Sequence, residues 1–230
     1  MADLAMTAGS VTGNRYPANF DKMRAEPQRR LAVVADGMGD GPGSDEAGNL
    51  AVEVFAAEAA PDASALRAAV AEIQRQVIAA GHARAGLTGC TLTGFVAGGD
   101  EAWIVQLGDS RAYRLRAGLL ELLTTDHTIA WLGAVHGWFA HDSPEARTAR
   151  YRLTRYAGHP DAPEPDLLNV ALRAGDRLLL CTDGLTDQVP YERIQAVLEA
   201  GGAGAVDSLL ADSLAAGGTD NATAVIVEVG

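Results

Sequence analysis

Lysine is almost missing from this chain. Lys22 is the only one, and the 18 basic residues are set against 30 acidic ones, for a formal net charge of -12. That balance argues against nucleic acid as a partner held by bulk electrostatics. The preference for arginine over lysine has the look of a GC-rich coding bias rather than of a functional signal. Cysteine is scarce too: Cys90 and Cys181 each sit in an apolar or threonine-rich run, where a small buried thiol is expected and a disulfide is not. No apolar run approaches the ~18 residues needed to cross a bilayer, and the N-terminal stretch lacks a basic segment followed by a hydrophobic one. A soluble, cytoplasmic protein is therefore expected.

What is present fits one domain of 230 residues, long enough to bury a sizeable core without staples. The chain is organised around residues 31–45, an apolar run that ends on Asp36 and then breaks into glycines. Residues 31–35 read as a strand buried on both faces. Before them, residues 1–30 show little regular pattern, and residues 13–21 read as a loop. Ser44 is expected to cap a helix with apolar residues at Leu50, Val54, Phe55 and Ala59, and Pro61-Asp62 to open a second with a stripe of Leu66, Val70, Ile73, Val77 and Ile78. Residues 89–97 and 102–107 alternate as a hairpin around Gly98-Gly99-Asp100, and 111–116 and 119–123 continue as strands. Residues 124–165 form an irregular flap with one short helix and four of the five histidines. Strands follow at 169–172, 177–182 and 222–229, with helices at 190–198 and 203–214 between the last two. The alternation of strand runs and helical pairs predicts an α+β sandwich.

One local design recurs at four distant places: an aspartate at the end or start of an apolar strand. Asp36 follows LAVVA, Asp109 follows IVQLG, Asp183 follows LLLCT, and Asp220 precedes NATAVIV. A single Asp-Gly pair is ordinarily a turn. Four such placements on neighbouring strands would converge, and carboxylates so close need raised pKa values or bound cations. Oxygen donors without nearby Cys or His suit Mg²⁺ or Mn²⁺ rather than zinc, and Gly37 lets a backbone carbonyl come near an ion. Other chemistries fail on spacing. Residues 36–47 place acids at the first and fifth positions of a calcium loop but Ala47 at the twelfth. Val96 and Asp187 stand where a cysteine-dependent phosphatase needs an arginine, and no Gly-Lys-Ser/Thr loop is present.

With these residues in hand, the chain resembles the metal-dependent Ser/Thr protein phosphatases of the PP2C (PPM) family, particularly the compact bacterial ones. The resemblance is carried, in family order, by Asn19-Phe20-Asp21, ADGMG from Ala35, GCT from Gly89, LGDSRAY from Leu107, TTDHT from Thr124, LLLCTDGLTD from Leu178 and TDNATAVIV from Thr219. It implies a four-layer α-β-β-α sandwich, two mainly antiparallel sheets flanked by pairs of antiparallel helices, with a flap at about residues 126–160. It implies two Mn²⁺ or Mg²⁺ ions, with a third more weakly held: Asp36 bridging the pair, the Gly37 carbonyl on one, Asp183 and Asp220 on the other, and Asp109 on the third. Asp21 and Asn221 would support the ligands, and Arg15 would clamp the phosphate. Hydrolysis would proceed without a covalent intermediate, by attack of a water activated between the metals. The family pattern is altered near Arg15, which lies four residues before Asn19 instead of three, with Phe20 in a usually acidic slot, and after Gly39, where Asp40-Gly41 replaces Gly-His.

The expected function is hydrolysis of phosphoserine and phosphothreonine on proteins, in partnership with a Ser/Thr kinase or its targets, by a monomer. His141 and His136 are the candidates for an acid that protonates the leaving alkoxide. The altered stretch from Arg15 to Asp21 motivates an alternative, a pseudophosphatase that binds phosphoproteins without turnover, and an enzyme acting on a regulator of transcription is a third use of the same site.

Overall fold

Successive side chains of a strand point to opposite faces, so a strand that is apolar throughout must lie between two apolar layers. A computed structural model of the chain, describing residues 2–83 and 86–230, realises this on both sheets. In β3 (Leu31–Ala35), Leu31, Val33 and Ala35 face a helical layer while Ala32 and Val34 face the opposite sheet. In β10 (Ala222–Val229), Ala222, Ala224 and Ile226 face the other helical layer while Val225, Val227 and Val229 point inward. Three cores between four layers result.

One sheet has the order β1 (Leu4–Val11), β10, β9 (Arg177–Cys181), β6 (Arg111–Arg116), β7 (Leu119–Leu122). The other runs β2 (Lys22–Glu26), β3, β4 (Leu92–Gly98), β5 (Glu101–Leu107), β8 (Asp166–Ala171). Every pairing is antiparallel. Helices α1 (Pro42–Glu58) and α2 (Ala63–His82) cover the β3 sheet, and α6 (Tyr191–Ala200) and α7 (Ala205–Ala215) cover the β10 sheet. The sequence expectation of an α+β, four-layer sandwich holds. Among the described residues no helix is long and apolar enough to cross a membrane.

Several local expectations need correction. Residues 1–30 are not patternless: they hold β1 and β2, both half-buried edge strands whose partners are remote or short. Ser44 does not cap α1. The helix begins two residues earlier at Pro42, whose φ is preset for a first turn, and the Ser44 hydroxyl instead donates to the Met38 carbonyl. Residues 89–91 lie outside β4, and Cys90 makes isolated bridges to Gly37 and Ala157. The flap carries two helices, α3 (Ile129–His136) and α4 (Pro144–Ala149), each opened by a hydroxyl cap, Thr128 and Ser143. Asp183 opens a single helical turn, α5 (Asp183–Thr186). Both cysteines are buried free thiols, as expected, and burial pushes the Cys181 thiol up to about 12.

Candidate metal centre

The aspartates converge because the two sheets face each other, with β3 and β5 contributing from one and β9 and β10 from the other. Asp36, Asp109, Asp183 and Asp220 line a single cavity of about 230 Å³, together with Gly37, Thr91, Asn221 and Tyr16 from the core and Tyr151 and Leu153 from the flap.

Backbone and hydroxyl bonds fix each strand end. The Asp36 N–H donates to Thr91 Oγ1 (2.9 Å), the Thr91 N–H donates to the Asp36 carbonyl (2.8 Å), and the two hydroxyls of Thr91 and Ser110 meet at 2.7 Å. Gly108, just before Asp109, has φ +98°, and a Cβ there would fall 2.6 Å from the Thr91 methyl, so only glycine fits. The Asn221 N–H donates to Asp220 Oδ1 (2.7 Å). Its side-chain oxygen accepts from the Gly13 N–H (3.0 Å), and its amide donates to the Ala18 carbonyl (3.3 Å). Asn14 adds two bonds to the carbonyls of Gly217 and Gly218 (2.9 and 2.7 Å). The loop after β1 is thereby stapled to the loop before β10. Beneath the cavity, Asp21 Oδ2 accepts from the hydroxyls of Thr182 (2.8 Å) and Thr223 (2.7 Å), each next to or near a cavity aspartate.

The electrostatics are those of crowded carboxylates. Burial, and then the charges of Asp21, Asp183, Asp109 and Asp220, hold Asp36 well above the usual carboxylate range. Burial and Asp183 do the same to Asp109, against the pull of Arg111. Burial raises Asp183, opposed by a hydrogen bond from Asp36 and by the charges of Arg150 and Arg111. Asp220 is lifted to about 6 and Asp21 to about 7, burial leading in both. Carboxylates in this condition favour protons or cations.

The sequence-predicted Asp36, Gly37, Asp109, Asp183, Asp220 and Asn221 share the cavity wall, and Asp21 lies buried behind it. Arg15 does not line it. It sits exposed on the turn at the mouth, near enough to Asp220 to pull that carboxyl's pKa down. His141 lines an adjoining groove of about 470 Å³ that shares Asp109 and Asp183 with the cavity, whereas His136 faces solvent and stacks on Trp138 at 5.4 Å. Tyr16 and the hydroxyls of Thr91, Thr182 and Thr223 were not singled out from sequence. For Thr182 the available signal is its place beside an aspartate in Thr182-Asp183.

A divalent ion fits the donor set. All donors are oxygens, and Asp183 Oδ1 is buried with no hydrogen-bond partner, an acceptor that a cation would satisfy. Among the described residues no three carboxylate, imidazole or thiol groups stand close enough together to hold an ion by themselves. The aspartates line the cavity rather than fill it.

The sequence pattern of the protein phosphatase 2C family matches residues 19–224. The chain belongs to this family. Among protein phosphatase 2C relatives, the serine/threonine protein phosphatase PstP of Mycobacterium tuberculosis is 35% identical over 235 residues, covering 94% of this chain and 45% of the relative. The chain thus spans about half the length of that curated relative. A crystal structure of the PstP catalytic domain in complex with two manganese ions has TM-score 0.88 and 32% identity, covering 100% of this chain and 99% of the other. The PPM Ser-Thr phosphatase MsPP from Mycobacterium smegmatis, in complex with cacodylate, gives TM-score 0.87 and 30% identity, with 100% of both chains covered.

Proposed function

We propose that this chain is a Mn²⁺- or Mg²⁺-dependent hydrolase of phosphoserine and phosphothreonine in proteins, its residues acting as one catalytic unit with residues 126–160 as the flap. The observation that carries the reading is the cluster of carboxylates, each raised chiefly by desolvation, around the unpartnered Asp183 Oδ1. The manganese-bound PstP catalytic domain and the serine/threonine phosphatase activity named for the relatives support it. Asp36, Asp183 and Asp220 with the Gly37 carbonyl would hold two ions, and Asp109 a third beside Asp183. Bound ions supply Lewis acidity, activating water as the nucleophile and offsetting charge on the phosphoryl oxygens.

The chain's own groups do the rest. Arg15, at the cavity mouth, offers a planar guanidinium that matches two phosphoryl oxygens. Burial, then the charges of Asp220, Asp36 and Asp183, keep the Tyr16 hydroxyl protonated, so it enters the cavity as a hydrogen-bond donor. Asp21, gripping Thr182 and Thr223, holds the Asp183 and Asp220 backbones in fixed relation. Tyr151 and Leu153 wall the cavity from the flap side. In this reading the partners are phosphorylated proteins and the Ser/Thr kinase that produces them, and the protein works as a cytoplasmic monomer. No feature of the site favours a non-catalytic role.

Hydrolysis of p-nitrophenyl phosphate tests the reading. Turnover is expected only with Mn²⁺ or Mg²⁺, and Asp183→Asn should lower kcat by at least ~10²-fold, the scale on which loss of one preorganised charge-stabilising group acts. Metal-independent turnover, or an Asp183→Asn variant as active as the parent, would refute it.

A further inference from the structure

Of the five histidines only His127 is buried, and both its backbone and its ring reach the glycine before Asp109. The His127 N–H donates to the Gly108 carbonyl at 3.0 Å, and the Gly108 N–H donates to His127 Nδ1 at 3.1 Å. A backbone N–H can only donate, so Nδ1 is the bare nitrogen and Nε2 carries the hydrogen, which it gives to Asp166 Oδ2 at 3.0 Å. Asp166 in turn accepts from Arg155 at 2.6 Å. Burial holds the ring's pKa below its ordinary value against the pull of Asp166, so the imidazole stays neutral and keeps this tautomer. The His127 carbonyl accepts from the Thr154 N–H at 2.8 Å, and neighbouring Thr128 bridges to Leu153, the flap residue that walls the cavity.

Gly108 at φ +98° has no side chain to hold its conformation, so bonds from outside do so: its carbonyl also accepts from Gln106 Nε2 at 2.9 Å, while its N–H is held by His127 Nδ1. We propose that His127 is a positioning residue that fixes the Gly108-Asp109 backbone through Nδ1 and thereby couples the aim of the Asp109 carboxylate to the seating of the flap. The inference rests on the reading of Asp109 as ligand of the weaker ion. The buried side chain acts at a distance from the phosphate, through one backbone amide.

Asparagine and glutamine separate the two functions of the ring. His127→Asn keeps an acceptor where Nδ1 stood and loses the donor to Asp166, while His127→Gln keeps the donor and loses the acceptor. These variants, Asp109→Asn and the parent are compared in Mn²⁺ titrations by calorimetry, in the Mn²⁺ dependence of p-nitrophenyl phosphate turnover, and in thermal melting without metal. Expected are weaker binding of the last Mn²⁺ equivalent and a roughly tenfold rise in half-activating Mn²⁺ for His127→Gln, the usual size of a lost outer-shell bond, with His127→Asn recovering the parent's response. Side-chain ¹⁵N spectra of the parent should show the Nε2–H tautomer. A His127→Gln variant that binds Mn²⁺ like the parent, equal impairment of both variants, or the Nδ1–H tautomer would overturn the inference. Asp109→Asn impaired beside an unaffected His127→Gln would strike this inference alone. Mn²⁺-dependent turnover with an unaffected Asp109→Asn would remove the reading of Asp109 and this inference with it.

Discussion

Two aspartates of this fold sit beside glycines and have opposite fates. Asp176 accepts from Arg116 Nε (2.7 Å) and Nη2 (2.5 Å) and from the Arg173 N–H (2.8 Å). Burial alone would raise its pKa, but those bonds outweigh it and the carboxyl lies below its ordinary value. Asp183 has no such fork and is shifted upward, with one oxygen bare. The first is a finished ion pair, and the second has room for a cation. In sequence Gly175-Asp176 and Asp183-Gly184 look equivalent, because the arginine that distinguishes them lies 60 residues from Asp176. Asp176→Asn should destabilise by about 2–3 kcal/mol, since Arg116 loses its partner while keeping a fifth of its side chain in water. A depressed carboxylate contributes stability above its unfolded pKa and loses it as pH falls through the folded one. Urea denaturation should therefore show the full difference at pH 7 and a shrinking one towards pH 3; a constant difference would sink the assignment.

At the scale of elements, legibility followed periodicity and burial. The stripe Leu66, Val70, Ile73, Val77 and Ile78 predicted α2; the first four are fully buried and Ile78 half-buried, with Asp62 capping the helix through bonds to the Ser64 and Ala65 N–H groups. The continuous apolar runs of β3, β9 and β10 were equally readable. Strand β1 was not, because LAMTAGSV is built of small residues that stay half-exposed at a sheet edge. Its evidence lies in partners such as Ser10 with Thr223, at the far end of the chain. Packing between layers is likewise invisible locally: a Cβ on Gly94 of β4 would fall 2.3 Å from the Phe55 ring of α1. Gly94→Ala should cost ~1–3 kcal/mol by overpacking, and combining it with Phe55→Leu should cost less than the sum of the single changes. Additive losses in chemical denaturation would show that the two side chains do not meet.

Over the whole molecule, the aspartate cluster is a liability while its charges stand unneutralised. Groups whose pKa is raised on folding contribute stability below the unfolded value, about 4 for Asp, and lose it as pH rises through the folded value, here about 6 for Asp220 and about 7 for Asp21. The metal-free protein should therefore melt at progressively lower temperature between pH 4 and pH 7, by several degrees, with ~1 kcal/mol moving the midpoint about 2–4 °C in a chain of this size. Mn²⁺ should remove most of that fall. A metal-free midpoint that is flat or rising over the interval, followed by calorimetry, would contradict the clustered charges. The four aspartates could be read as a set from their strand-end positions. The support of Tyr16 and His127 could not, since it depends on which loops fold back over them, and Asp21 was legible only through the family resemblance.

Strand β10 lies between β1 and β9, so it joins the two halves of its sheet and brings Asp220 and Asn221 with it. A ribosome-bound chain that has emerged only to residue 215 already holds both helical pairs, yet β1 and β9 present open edges and Gly13 and Asn14 have no loop to grip. Assembly of the candidate site therefore waits for β10 to emerge. A partly made or clipped chain lacking β10 exposes sticky strand edges and holds only part of the aspartate cluster.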